Sequence, residues 1–274
     1  GIGASSMIWR KKVSPSMPGI SMSSSSTSGR FLRIAGPAIS GLGADPASAT
    51  RTVPDYTAGL GKGAKGLKVG VLSRWHETDR PVAPAVKAGI AAAISTYESL
   101  GAEIVEIKLS AMQEYNAAGF FISTVERGAA YERMMLKNPE KFGQRYRDRL
   151  VFAALCTGMD YVQALRRRQE LCAAVAEAMI GVDVLLTAGS PFPAQPIDKV
   201  PKWLMYQKPS ITMPFNVTGL PALALCAGYE PGTGLPVAIQ LVGHPFAETT
   251  VFQLGHAYEQ ATQWRATRPA LLAA

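Results

Sequence analysis

The chain has 274 residues, of which 47% are hydrophobic and 18% are charged, a composition typical of a folded globular protein. No apolar run approaches the roughly 18 residues that cross a bilayer, so no membrane-spanning segment is expected. The net charge is +8, but residues 1–44 carry five basic and no acidic side chains, and the rest holds 23 basic against 20 acidic residues. A broad nucleic-acid-binding surface is therefore not favoured.

The first 37 residues show no hydrophobic repeat of a helix or strand, and Pro15 and Pro18 interrupt any element there. They include the serine-dense stretch SMSSSSTSG (21–29), which invites comparison with the loops that hold an activated hydroxyl in hydrolases. A basic, serine-rich and acid-free N-terminus is also typical of an organellar transit peptide, which stays open as an alternative. We expect residues 1–37 to be disordered and separate from the folded domain.

From residue 66 onwards, strand and helix patterns alternate. The apolar run GLKVGVL predicts a strand, Val82, Val86, Ile90 and Tyr97 recur at helical spacing, and AEIVEIKL predicts a second strand, which is the order of a parallel βαβ unit. The later elements are a helical region with breaks near 137–143 and 156–160, three strands and a closing helix, at residues 111–180, 182–187, 220–228, 235–243 and 247–263. The fold class is therefore α/β, a mixed sheet flanked by helices.

The chain has three cysteines, Cys156, Cys172 and Cys226, which lie far apart among apolar neighbours. This pattern favours reduced thiols in a cytoplasmic protein over a disulfide framework. A zinc site would need Cys and His residues at short spacing, and the sequence contains no such cluster. We therefore expect no metal ion and no other cofactor. The basic run Arg166–Arg168 falls in a helical pattern, and we expect it to form a solvated face.

The segment 208–262 contains the most specific motifs. PFNVTGLPA (214–222) and GLPVAIQLVG (234–243), joined by a glycine-rich turn, resemble the C-terminal part of the amidase-signature hydrolases. GVDVLLTAGSPFPAQ (181–195) also resembles a segment of that family, with Ala188 and Gly189 where Pro and Thr are usual. The resemblance extends back to about residue 38, so residues 38–274 are expected to form the C-terminal part of an amidase-like domain that lacks the N-terminal part of the fold.

The resemblance implies amide hydrolysis by a Ser–cis-Ser–Lys triad. In that mechanism a serine attacks the amide, and a lysine acts as the base only if it is neutral, which requires burial. The family carries all three residues in its N-terminal half, with the lysine at the end of a helix and the two serines in two glycine- and serine-rich motifs, and neither motif string occurs in this chain. SMSSSSTSG lacks the interleaved glycines, and Lys11 and Lys12 precede it too closely, so we do not expect it to be the catalytic loop.

The chain is thus expected to be a truncated amidase without its own catalytic residues. The intact relatives would act on a small amide without a cofactor. A catalytically inactive fragment, a partner subunit, or the A subunit of a tRNA-dependent amidotransferase remain alternatives. Strand edges and apolar faces left open by a missing half would favour a homo-oligomer or aggregation.

Four residues are the candidates for substrate binding. Thr187 and Ser190 follow a buried strand at its carboxyl end, where α/β sheets bind ligands. Tyr115, next to Asn116, opens a helix in the region that the family uses to shape its pocket. Asn216 lies in the PFNVTG motif. Asn216 and Thr218 also suit a turn before Gly219, which would require a positive φ, so a purely structural role stays open.

Overall fold

The computed structural model describes residues 20–21, 33–34, 51–201 and 203–267, and SMSSSSTSG lies outside this part except for Ser21. The chain divides into two compact units. Of the first, the structure describes 20–21, 33–34, 51–54 and 124–155. The second comprises 55–123 and the chain from Cys156 onwards, and it contains the central sheet.

The central sheet consists of β3 (Lys68–Val71), β4 (Glu103–Glu106), β5 (Val184–Ala188), β6 (Ala222–Tyr229) and β7 (Pro236–Gly243), in the order β4-β3-β5-β7-β6. β3 lies parallel to β4 and β5, whereas β7 is antiparallel to both β5 and β6, so the sheet is mixed. The prediction of a mixed sheet flanked by helices is confirmed. A separate antiparallel pair of two-residue strands, β1 (Ile20–Ser21) and β2 (Arg33–Ile34), belongs to the first unit.

Helix α1 (Pro84–Ser99) connects β3 to β4 and packs against β6 and β7. Proline at its start suits a helix N-terminus, where the missing N–H has no partner to lose. Its buried side chains recur at helical spacing, as predicted, and Gly89 lets the helix approach the sheet, because a Cβ atom there would lie 2.9 Å from the carbonyl oxygen of Ala227. Tyr97 completes the contact by donating its hydroxyl to the carbonyl of Leu254 at 3.2 Å.

Helix α7 (Glu248–Ala261) is the predicted closing helix, and it packs against the same two strands. Tyr258 stacks on Tyr97 with ring centres 5.6 Å apart. Gln253 reaches back across 190 residues of sequence and donates its side-chain amide to the carbonyl of Gly63 at 2.7 Å. The last helix is therefore tied to the first described loop of its unit.

The predicted helical region consists of three helices. They are α2 (Met112–Lys137), α3 (Gln144–Leu155) and α4 (Gly158–Ala178), with breaks where the sequence predicts them. Thr157 and Asp160 start α4 with reciprocal side-chain-to-backbone hydrogen bonds, which satisfy two otherwise unpaired N–H groups.

Two short helices complete the second unit, α5 (Leu204–Gln207) and α6 (Met213–Thr218). The buried cluster of this unit combines strand residues with Met112 and Tyr115 of α2, Leu171 of α4 and Phe215 of α6. At Gly119 in α2 an added Cβ atom would lie 2.8 Å from Val217, so this glycine permits a close approach of α2 and α6.

The basic run in α4 departs from its expected role as a solvated face. Arg166 is exposed, but Arg168 donates its Nε–H to the carbonyl of Val217 at 2.7 Å, and Arg167 forms ion pairs with Glu114 and Glu170. A guanidinium group can satisfy carbonyls and carboxylates with its several donors, which is how two of these arginines connect α4 to its neighbours.

Within the first unit, residues 124–155 form a helical hairpin made of residues 124–137 of α2 and of α3. Gly128 lies against Ala153, because a Cβ atom there would be 2.3 Å from that side chain. Leu136, Val151 and Leu155 are exposed. Across the described residues, no helix combines the length and hydropathy needed to cross a membrane.

Candidate functional site

A cleft of about 290 Å³ opens at the carboxyl end of β5. In α/β proteins the loops at this end of the strands bind ligands. One wall is the loop Gly189–Phe192 and the opposite wall is the segment Lys208–Thr212, with Arg80 and Leu204 completing the lining. The cleft therefore combines hydroxyl groups, two cationic side chains and apolar surface.

Two hydrogen bonds hold the first wall, one to β7 and one within the loop. Gly189 donates its N–H to the carbonyl of Ala238 at 2.7 Å, and a Cβ atom at position 189 would lie 2.8 Å from the Cβ of Ala238. Glycine at the position where the family usually has threonine thus allows β5 to pass close to β7. Ser190 donates its hydroxyl to the carbonyl of Phe192 at 2.9 Å.

The second wall is clamped by Asn116, a buried residue of α2. Its Oδ1 accepts the backbone N–H of Ser210 at 2.7 Å, and its Nδ2 donates to the carbonyl of Ser210 at 3.1 Å and to the carbonyl of Met112 at 3.0 Å. The hydroxyls of Ser210 and Thr212 lie 3.1 Å apart. A single buried side chain therefore fixes the backbone of the wall that presents these hydroxyls.

Arg80 enters the cleft from a five-residue π-helical turn, Trp75–Asp79, and donates its backbone N–H to the carbonyl of Trp75 at 2.9 Å. Its guanidinium carbon lies 5.6 Å from the centre of the Phe192 ring. Burial lowers the pKa of Arg80 from its usual value. The Nε atom is shielded from solvent and has no hydrogen-bond partner among the described residues.

Of the four predicted substrate-binding residues, only Ser190 lines the cleft. Tyr115 is fully buried in an aromatic cluster, with its ring centre 5.4 Å from that of Trp75, and burial raises the pKa of its phenol to about 12. Thr187 is also fully buried, directly opposite Gln240 of β7. Thr187 Oγ1 and Gln240 Nε2 are buried without hydrogen-bond partners in the described part of the chain.

Asn216 is exposed on α6, and the PFNVT residues form this short helix where the sequence suggests a turn. Thr218 donates its hydroxyl to the carbonyl of Pro214 at 3.0 Å, as helical threonines commonly do. Gly219 ends the helix with φ +73°, the positive value that the sequence predicts. The roles of Tyr115, Thr187, Ser190 and Asn216 in substrate binding stay predictions.

Arg80, Lys208 and Ser210 line the cleft, although the sequence does not predict them as site residues. Ser210 lies inside the family-like segment, and its partner Asn116 lies next to the candidate Tyr115, so these two could have been considered together. Arg80 lies in a polar stretch that matches no motif, and no signal in the sequence indicates its position.

The described residues lack the environment that the triad's lysine needs. No lysine in the ranges 51–201 and 203–267 is buried, and a lysine that acts as a neutral base requires burial. Within these same ranges no three His, Cys, Asp or Glu side chains are grouped to hold a metal ion. The cleft offers hydroxyl groups, cationic side chains and apolar surface to a ligand, and none of the described lysines is buried beside it.

Comparison with known proteins places the chain in a family. The family model for amidases matches residues 38–252. An amidase of Pseudomonas putida is 36% identical over 239 residues, covering 84% of this chain and 50% of the relative. The A subunit of the glutamyl-tRNA(Gln) amidotransferase from Geobacter sp. (strain M21) is 34% identical over 246 residues, covering 80% and 50%. The chain thus spans about half the length of the curated relatives it matches.

Solved structures show the same fold. A bacterial aryl acylamidase of the amidase-signature family superposes with a TM-score of 0.68 at 19% identity, covering 82% of this chain and 50% of that one. A 6-aminohexanoate cyclic dimer hydrolase gives a TM-score of 0.68 at 20% identity, covering 84% and 52%. Together with the match over residues 38–252, these comparisons establish that the chain belongs to the amidase family.

Proposed function

We propose that this chain is the substrate-binding part of an enzyme that hydrolyses a small amide, and that the chain does not itself carry the catalytic triad. Residues 38–274 would form the amidase-like domain, with residues 1–37 outside it. The cleft beside Ser190 and Ser210 is the observation that supports this proposal most directly, because it lies at the ligand-binding end of the sheet in a member of an amide-hydrolysing family.

The cleft suits a primary amide chemically. Ser190 donates its only O–H to the carbonyl of Phe192, so its oxygen can accept an N–H of the amide. The paired hydroxyls of Ser210 and Thr212 keep one O–H that can donate to the amide oxygen. Phe192 and Ile211 add apolar surface for the carbon chain. Polar groups that fix orientation within a mainly apolar lining are typical of small-molecule sites.

Catalysis needs groups that the described residues do not provide. A serine hydroxyl attacks an amide only when a base takes its proton, and the family's base is a buried lysine. Because the described lysines are not buried, the chain alone is proposed to bind the amide without turning it over.

Purified chain tests this proposal in two measurements. We expect glutaramide, glutaramate or benzamide to bind, as observed by saturation-transfer NMR, while ammonia release and stoichiometric labelling by a fluorophosphonate stay absent. Ser210→Ala should weaken binding, whereas Ser99→Ala, at an exposed position on α1, should not. Labelling of one serine per chain would contradict the inactive state, and failure of every amide to bind would contradict the site.

The A subunit of a tRNA-dependent amidotransferase is a second candidate, supported by the 34% identity to the Geobacter protein of that name. A protein of this kind works within a complex, so a partner protein would be required. Binding of glutamine by the cleft is the measurement that favours this candidate.

Two further properties belong to the proposal. None of the three cysteines, all of which lie among the described residues, forms a disulfide, which suits a reducing compartment and supports a cytoplasmic location. β6 forms one edge of the sheet and leaves Ala222 and Ala224 exposed, which supports self-association as a homo-oligomer. Size-exclusion chromatography with light scattering tests the oligomeric state.

A further inference from the structure

We infer that the amide bound in the cleft carries a carboxylate group and no ammonium group, which Arg80 and Lys208 recognise. This inference rests on the proposed function and deepens it, because it names the class of substrate. The observation behind it is an imbalance of charge: the cleft lining contains two cationic side chains and no aspartate or glutamate.

The acidic residues that flank the cleft lining in sequence have other partners, among them Glu77, whose carboxylate lies 3.7 Å from the ammonium group of Lys87. Asp79, which precedes Arg80, accepts the Nε–H of Arg74 at 3.2 Å and the backbone N–H of Met112 at 2.7 Å. Asp198 lies 3.8 Å from the ammonium group of Lys199 and is exposed. No described carboxylate lies within ion-pair distance of Arg80 or Lys208, so both charges are available to a ligand.

Arg80 is placed for an anion. Arg80 is half-buried, and the ring of Phe192 lies against its guanidinium group. Water can therefore reach the positive charge from fewer directions. A guanidinium that loses water without gaining an acidic partner is destabilised, and a carboxylate restores the balance with two parallel charge-assisted hydrogen bonds. Because Nε is buried, the carboxylate would pair with the two terminal amino groups of the guanidinium.

Lys208 lies on the opposite wall and adds a second positive charge that stays exposed to solvent. Its role would be to raise the local concentration of anions and to contact the same carboxylate as a point charge. An ammonium group on the ligand would meet two like charges and no carboxylate. The cleft therefore discriminates between an acid amide and an amino acid amide.

The size of the cleft limits the ligand to a small molecule. At about 290 Å³ it matches the volume of about ten water molecules, which leaves room for a short chain that joins an amide to a carboxylate. Glutaramate has this form. Glutaramide replaces its carboxylate with a neutral group of the same shape, and glutamine adds an α-ammonium group to it.

Binding of these three ligands to the purified chain, measured by NMR titration at low and high salt, tests the inference. We expect glutaramate to bind about tenfold or more tightly than glutaramide and glutamine, because a charge-assisted pair is roughly twice as strong as a neutral hydrogen bond. High salt should reduce the difference in affinity between glutaramate and the other two ligands, because it screens the charges. Arg80→Gln should remove most of the preference and Lys208→Gln part of it.

The controls separate charge from folding. Arg166→Gln and Lys108→Gln change exposed cations that do not line the cleft, and they should leave the preference intact. Arg80→Lys keeps the charge but loses the forked geometry, so it should retain part of the affinity. Far-UV circular dichroism establishes that each variant is folded.

The outcomes distinguish the two proposals. Equal affinity for glutaramate and glutaramide, or a preference that survives Arg80→Gln in a folded protein, would overturn the inference while leaving the amide site standing. Tighter binding of glutamine than of glutaramate would also overturn it and would favour the amidotransferase candidate. If none of the three ligands binds, it is the proposed function that fails.

Discussion

The clamp between Asn116 and Ser210 supports a quantitative prediction. Asn116→Ala removes both hydrogen bonds to the backbone of Ser210 and leaves the N–H and the carbonyl of that residue without these partners. Each net hydrogen bond contributes about 0.5–1.5 kcal/mol, and an unsatisfied buried group costs about 1–3 kcal/mol. Ser210 is half-buried, so water replaces part of what is lost, and we expect the free energy of unfolding to fall by about 2–4 kcal/mol.

The same residue type offers a matched control. Asn216 is exposed on α6, so Asn216→Ala should change the free energy of unfolding by less than about 0.5 kcal/mol. Urea denaturation followed by tryptophan fluorescence measures both variants, since Trp75 lies in the same buried cluster as Tyr115. Asn116→Ala should also weaken amide binding, because the wall that presents the Ser210 hydroxyl loses its anchor. A loss below about 0.5 kcal/mol for Asn116→Ala would refute the reasoning.

Three other predictions follow from packing, burial and the strand edge. Gly119→Ala places a Cβ atom 2.8 Å from Val217 and should lower the free energy of unfolding by about 1–3 kcal/mol, as measured by urea denaturation. Gly158→Ala is the control, because a Cβ atom there meets nothing within 4 Å and should not destabilise the protein. Burial lowers the pKa of His76, so the unfolded state binds the proton more readily than the folded state, and the free energy of unfolding should fall as the pH drops through about 6.5. Urea midpoints measured from about pH 8 to 5 test this, and His76→Gln should show a weaker pH dependence. Ala224→Lys, on the exposed face of β6, should reduce self-association in light scattering, and a parent chain that stays monomeric at high concentration would contradict this.

The sheet could be predicted because its strands are apolar runs bounded by glycine and proline. Val184–Ala188 is buried at every position, as a strand with both faces covered must be. A continuous apolar run followed by glycine and proline was therefore enough to predict this strand. α6 could not be predicted in the same way. It has only six residues, and Pro214 together with Gly219 looks like a turn unless tertiary contacts show that Phe215 and Val217 point into the core.

The site was harder to predict because burial is decided by tertiary structure. Asn116 and Asn216 are the same residue type in helices, yet one is buried against a loop and the other is exposed. Ser190 could be chosen because it follows a strand at its carboxyl end. Arg80 could not, since its position depends on a π-helical turn and on the approach of a loop more than a hundred residues later in the chain.

The hydrogen bond from Gln253 to Gly63 has a consequence for the order of folding. The sheet brings together strands that are distant in sequence, with the backbone of Lys68 bonded to Asp183 across 115 residues, and α7 adds the 190-residue contact to Gly63. Contacts of this range slow folding, because a long loop must close before they form. During synthesis β3 gains its neighbour β5, and with it the hydrogen bond to Asp183, only after more than a hundred further residues have been made, and the contact of α7 with Gly63 forms later still. Until β5 is made, that edge of β3 is unpaired, and an unpaired strand edge is prone to aggregate.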